Sequence, residues 1–179
     1  IDRHLTSKLL GCQDTLEHTL DATSSRDYML EVLHSTATLH NNLSRLAEEF
    51  IVWSSYEYRT LTLDDGFAMG SSMMPQKKNP GVLELLRGRC GRSTGYLMAG
   101  HTMLKGLPTA YNRDFHEEKE ILYQALQMAN SATEIVPPLV ESTTLNIERM
   151  EQLAHQNFAT ATELANYLVS QHEIPFRQA

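Results

Sequence analysis

The chain has 179 residues, 41% hydrophobic and 21% charged, which suits an ordinary soluble protein of one domain or one and a half. A formal net charge of -7 argues against a nucleic-acid surface, because phosphate binding needs clustered Lys and Arg. No apolar run approaches the roughly 20 residues of a membrane span, no signal-peptide pattern opens the chain, and Cys12 and Cys90 form neither a metal-like pair nor a disulfide framework, so a reduced, cytoplasmic setting is expected.

In chain order the pattern is helical almost throughout. The amphipathic start predicts a short helix over 2–10, ended near Gly11, then a polar loop to about Ser24. Ser25 is a candidate cap for a long helix with Asp27 in its first turn. Its apolar positions, among them Leu30, Leu33, Leu43, Leu46 and Phe50, form a wide stripe of period 3.6 that lasts to about Ser55. Residues 57–79 read as a loop with a short turn near 63–67. Asn79 as cap and Pro80 in the first helical position predict a second long helix, to about Lys105. Gly88, Gly91 and Gly95 lie inside it, each costing up to about 1 kcal/mol relative to alanine, which suggests close approach of another helix. Gly106 to Pro108 ends it. A third helix is expected from about Asn112, with Pro137 and Pro138 kinking or ending it. Asn146 then caps a short helix through Met150, and a last helix runs from about Thr160 to Gln171. With no alternating strand pattern and no repeat, the class is all-α, and the long apolar stripes call for partner helices.

The stretch that carries chemistry is Gly70 to Pro80, "GSSMMPQKKNP". A Gly-Ser loop is ordinarily a linker, Pro80 is explained by helix initiation, and Lys77 and Lys78 can simply be solvated. The alternative is more specific. Ser71 follows a glycine, where the backbone can approach a ligand closely. An ammonium at Lys77 and a carboxamide at Asn79 can hold negative charge, and the helix start behind them also favours anions. A serine that removes a proton needs its alkoxide stabilised and the resulting carbanion held by donors. Glycine and serines offer little packing, so the loop is expected to be mobile without ligand.

This stretch resembles the signature loop of the fumarase, aspartase and argininosuccinate lyase superfamily, and its "QKKNP" ending is similar to the argininosuccinate lyase branch. "KGLPTAYNRDFHEEKE", from Lys105 to Glu120, resembles a second motif of that branch. "SRD" at Ser25, "WSSYEY" at Trp53, "LDDGF" at Leu63, "TATELANYLV" and "IPFR" fit it too, so the likeness runs over nearly the whole chain. The resemblance implies a long-helix bundle of the superfamily's central domain, present in part: residues 1–155 match its later part, and 156–179 the start of the C-terminal domain. It implies an anti β-elimination that releases fumarate, here from argininosuccinate with arginine as co-product, in arginine biosynthesis and without a cofactor.

Residue by residue, the resemblance makes Ser71 the general base and gives Lys77 and Asn79 the aci-carboxylate. Glu84 becomes the carboxylate that orients a histidine. Tyr111, His116 and Lys119 fall at substrate-binding positions, and Arg26 and Met74 near the substrate. It implies a homotetramer with active sites shared between subunits, and a catalytic histidine upstream of this segment. A start at Ile1 and a stop at "EIPFRQA" suggest a fragment, inactive alone.

Four departures stand out. His116 replaces the usual glutamine and cannot copy an amide's paired donor and acceptor. Met69 stands where threonine is common, Gly81 replaces an aspartate, and the two prolines interrupt a segment that the family keeps helical. Two alternatives stay open: a non-catalytic, delta-crystallin-like structural homologue, and a lyase of the same superfamily acting on another succinyl substrate such as adenylosuccinate. A metal at His116 and Glu120 is disfavoured, because one pair on one helical turn lacks the three or four ligands metals take.

Overall fold

The computed structural model describes residues 1–156 and 158–179. Seven α-helices dominate among the described residues: α1 Arg3–Leu9, α2 Thr19–Ser24, α3 Asp27–Ser54, α4 Gly81–Leu104, α5 Glu118–Ser142, α6 Ile147–Ala154 and α7 Ala161–His172. The four strands among the described residues, β1 Leu61–Thr62, β2 Met69–Gly70, β3 Lys78–Asn79 and β4 Thr144–Leu145, have two residues each, so the all-α reading holds. No helix among the described residues is long and apolar enough to cross a membrane. The chain divides into two units, residues 1–45 with 86–134 and residues 46–85 with 135–179.

In the first unit the core forms around Met29, Leu33 and Ala125, all fully buried. Gly100 of α4 makes the close approach: a Cβ there would stand 2.7 Å from Leu33 Cδ1. The expected approach at Gly88, Gly91 and Gly95 is not made within the chain, since a Cβ at any of them meets nothing within 4 Å. Those glycines lie on the exposed side of α4, whereas Gly100 is buried. α1 begins at Asp2, whose carboxylate accepts from the Leu5 N–H, and closes near Gly11 at φ 73°.

The sequence reading missed α2, a six-residue helix inside the expected polar loop. Its N-cap is His18, whose Nδ1 accepts from the Asp21 N–H at 3.1 Å, a capping role that composition does not announce. The cap of α3 also moves. The Arg26 carbonyl accepts the first helical bonds, from the Met29 and Leu30 N–H groups, while Ser25 closes α2 instead. Before α5 a 3-10 turn at Arg113–Glu117 intervenes, and the Asn112 carboxamide bonds back to the Pro108 and Ala110 carbonyls rather than capping.

In the second unit, β1 and β4 pair antiparallel, Leu61 opposite Leu145 and Thr62 opposite Thr144. Arg149 of α6 secures the preceding turn: its Nε and Nη2 donate to the Tyr58 and Glu57 carbonyls at 3.0 and 3.1 Å. Asn146 caps α6 as expected, its Oδ1 accepting from the Arg149 N–H. α5 does not end at Pro137 and Pro138 but runs through them to Ser142. Each proline removes one N–H, and thereby a partner for the carbonyls of Thr133 and Glu134. All four residues are exposed, so water can take the freed carbonyls and the helix survives.

Candidate active site

The signature loop is the tip of a hairpin. β2 pairs antiparallel with β3, Met69 opposite Asn79 and Gly70 opposite Lys78, which clamps the base of the loop. The Lys78 ammonium and the Asp65 carboxylate form an ion pair that ties the same base to the 3-10 turn at Asp65–Phe67. At the tip, Ser71 Oγ accepts from the Met73 and Met74 N–H groups at 3.3 and 3.2 Å. Two N–H dipoles aimed at that oxygen stabilise negative charge on it, as a serine base requires. The Lys77 N–H donates to the Met74 carbonyl at 3.0 Å, closing the turn. The Lys77 side chain is exposed and has no partner among the described residues.

Asn79 lies in β3, and Pro80, not Asn79, gives the first helical carbonyl, accepting from the Glu84 N–H at 3.0 Å. The expected cap is thus displaced by one residue. Two of the departures from the family pattern prove to be one feature: a Cβ on Gly81 would stand 2.2 Å from Met69 Sδ. Met69 occupies the room that a side chain at position 81 would need.

Behind the hairpin base lies a cavity of about 490 Å³, lined by Asn79 and Glu84 together with Ser55, Tyr56, Arg59 and Lys78 among others. Ser71, Met74 and Lys77 are not in its wall. Arg59 packs its guanidinium 3.6 Å from the centre of the Tyr56 ring, a cation–π contact. Sequence reasoning missed Arg59 and Lys78. The acidic pair Asp64 and Asp65 was the available signal for Lys78, and nothing in the sequence singled out Arg59, which has a positive φ of 52°.

The other predicted residues lie in the first unit. Tyr111 follows Ala110, a non-glycine residue at φ 79° that the Leu20 carbonyl and the Asn112 carboxamide hold in place. The Tyr111 hydroxyl and His116 Nε2 are 2.6 Å apart. The edge of the Tyr111 ring packs on Phe115, 6.1 Å between centroids at 68°, and Phe115 is only 3% exposed. Over the Phe115 ring, at 4.3 Å, sits the Arg26 guanidinium. Arg26 Nε is ion-paired with Glu118, and its Nη1 donates to the Thr23 and Ser25 carbonyls at 3.0 and 2.8 Å. Three of its five N–H groups are therefore spent inside the protein, and only Nη2 is without a partner among the described residues. Lys119 is exposed, with no partner among the described residues.

The structure thus brings the predicted residues together in two groups. Ser71, Met74, Lys77, Asn79 and Glu84 belong to one unit, and Arg26, Tyr111, His116 and Lys119 to the other. Phe115 and Glu118, which sequence reasoning did not propose for the site, hold Tyr111 and Arg26.

Over all 179 residues the chain is 47% identical to the argininosuccinate lyase of Staphylococcus haemolyticus, of which it covers 39%. Among solved structures, that of EDDS lyase in complex with formate matches with a TM-score of 0.74 and 31% identity, over 96% of this chain and 34% of that one. The class II fumarase of Schistosoma mansoni gives 0.74 at 20% identity, over 93% of this chain and 37% of that one, a likeness that shows the fold alone. The chain therefore spans about two-fifths of the length of the curated relatives it matches. A family model described as lyase matches residues 2–95, more than half of the chain, and the chain belongs to that lyase family.

Proposed function

We propose that this chain is the later central region of an argininosuccinate lyase, with residues 1–155 in the central helical domain and 156–179 opening the C-terminal one. Ser71 removes the β-proton of the succinyl group. The electron pair of that C–H bond forms the double bond of fumarate. The C–N bond breaks with its pair on nitrogen, which takes up a proton and leaves as arginine. Lys77 and Asn79 hold the negative charge that the carboxylate gathers as the proton departs. Glu84 orients the histidine on the acid side, while Tyr111, Lys119, the free edge of Arg26 and Met74 meet the substrate. The observation that carries this reading is the identity of 47% along the whole chain with an argininosuccinate lyase. The two N–H groups on Ser71 Oγ support it, because they favour the anionic form a base must pass through.

Large apolar side chains on the long helices remain exposed, among them Leu85 at 61%, Met98 at 58% and Tyr123 at 61%. They favour assembly with further subunits, proposed to be a homotetramer with shared active sites, in the cytoplasm and in arginine biosynthesis. The test is to offer the complete protein argininosuccinate, adenylosuccinate and aspartate in turn and to follow fumarate by ultraviolet absorbance. Fumarate from argininosuccinate is expected. Fumarate from another substrate alone would move the assignment within the superfamily, and none from any would favour a structural homologue.

A further inference from the structure

His116 stands where the resemblance places a substrate-touching glutamine, yet its ring is turned to a neighbour in its own chain. Nε2 lies 2.6 Å from the Tyr111 hydroxyl, with the ring centroids 6.3 Å apart at 65°. The Tyr111 ring is already located by Phe115, which is held by Arg26, which is held by Glu118. What that chain of contacts leaves undetermined is the hydroxyl hydrogen, which can take either of two positions in the ring plane. A partner on that oxygen removes the freedom.

We propose that His116 is a positioning residue that fixes the Tyr111 hydroxyl for substrate, a role that rests on the lyase reading above. An imidazole nitrogen is either a donor or an acceptor, and it leaves the hydroxyl with the complementary role. If Tyr111 donates into Nε2, its lone pairs remain to accept from a cationic group such as a guanidinium. If Nε2–H donates to Tyr111, the phenol hydrogen remains for a carboxylate. A glutamine amide offers donor and acceptor together and makes no such choice. The substitution therefore moves the residue from touching substrate to setting what the tyrosine offers. His116 sits in the 3-10 turn at Arg113–Glu117, and its ring reaches back five residues to Tyr111.

The test uses the complete protein with H116F, H116Q, Y111F and the double variant Y111F/H116F. His116 is exposed, so these changes leave the core alone, and thermal melting checks that they do. H116F is expected to raise KM for argininosuccinate about fivefold to tenfold, with kcat within about twofold, the loss of one oriented hydrogen bond. H116Q, which keeps a partner for the hydroxyl, recovers most of it. In the Y111F background, H116F adds nothing, because its effect passes through the missing hydroxyl. A full H116F penalty that persists without the hydroxyl overturns the proposal in favour of direct substrate contact. A second readout needs no substrate: with 3-fluorotyrosine incorporated, the fluorine signal lost in Y111F should shift in H116F. An unmoved signal overturns the proposal even in an active lyase. A wild type that makes no fumarate from argininosuccinate, with the signal still moved by H116F, overturns the argininosuccinate reading and the role in binding that substrate with it, and leaves the contact standing.

Discussion

The Ser71 hairpin and the Tyr111 cluster both hold polar side chains at the surface, by opposite means. The hairpin leans mainly on backbone, two residue pairs at its base and two N–H groups on Ser71 Oγ, beside the Lys78–Asp65 ion pair, with Met73 at the tip 87% exposed. The cluster uses side chains, an unbroken run of contacts from His116 through Tyr111, Phe115 and Arg26 to Glu118. Backbone support survives a change of side chain, and side-chain support does not. Chemistry and stability should therefore separate at the hairpin and stay joined at Arg26, the half-buried end of the cluster.

The sharpest break of that comparison is S71A. As the proposed general base, Ser71 should account for a fall in kcat of about 10²–10⁴ in the complete protein. Stability should move by no more than about 0.5 kcal/mol, because the hydroxyl is bonded only within its own exposed turn. Steady-state kinetics and a urea unfolding curve read the two effects side by side. A large loss of stability would place Ser71 in the framework and erase the contrast.

R26A probes the other side. It removes an ion pair whose side chains are 15% and 17% exposed, two bonds to carbonyls and the cation on Phe115. A loss of about 2–3 kcal/mol is expected, with KM rising as Tyr111 loses its support. R26K keeps the charge but not the planar fork and should recover only part of the stability. An R26A protein with a raised KM and an unchanged urea midpoint would make Arg26 a substrate contact and no anchor.

Much of this was legible in the sequence, for physical reasons that differ by element. α3 announces itself through its apolar period, α4 through the proline at its start, and Asn146 as a cap through local chemistry that needs no tertiary partner. Between the two outcomes open at Pro137 and Pro138, a kink or an end, the sequence could not choose; that α5 continues depends on which face of the helix meets water. The clamp at the hairpin base joins residues eight to ten apart through strands of only two residues, too short for any alternation to show. Among the site residues, Ser71, Lys77 and Asn79 could be proposed from their chemistry in one loop. The hold of Arg26 on Phe115 and Glu118 spans about ninety residues of chain and has no local signal. The departures Met69 and Gly81 read as separate oddities until the structure placed them in contact.

That contact gives the smallest effect and the finest test, since there apolar side-chain packing reaches the hairpin. In G81A the new methyl would meet Met69 Sδ at 2.2 Å and Met69 Cβ at 3.3 Å. Met69 is 57% exposed and can swing away, so the cost is about 1 kcal/mol. In an M69A background the obstacle is gone, and alanine at the start of α4 should then be neutral or slightly stabilising. The two substitutions should therefore be non-additive by about 1 kcal/mol in urea midpoints. Additive effects would mean that Met69 does not fill the space beside Gly81, and that side-chain packing does not reach the hairpin there.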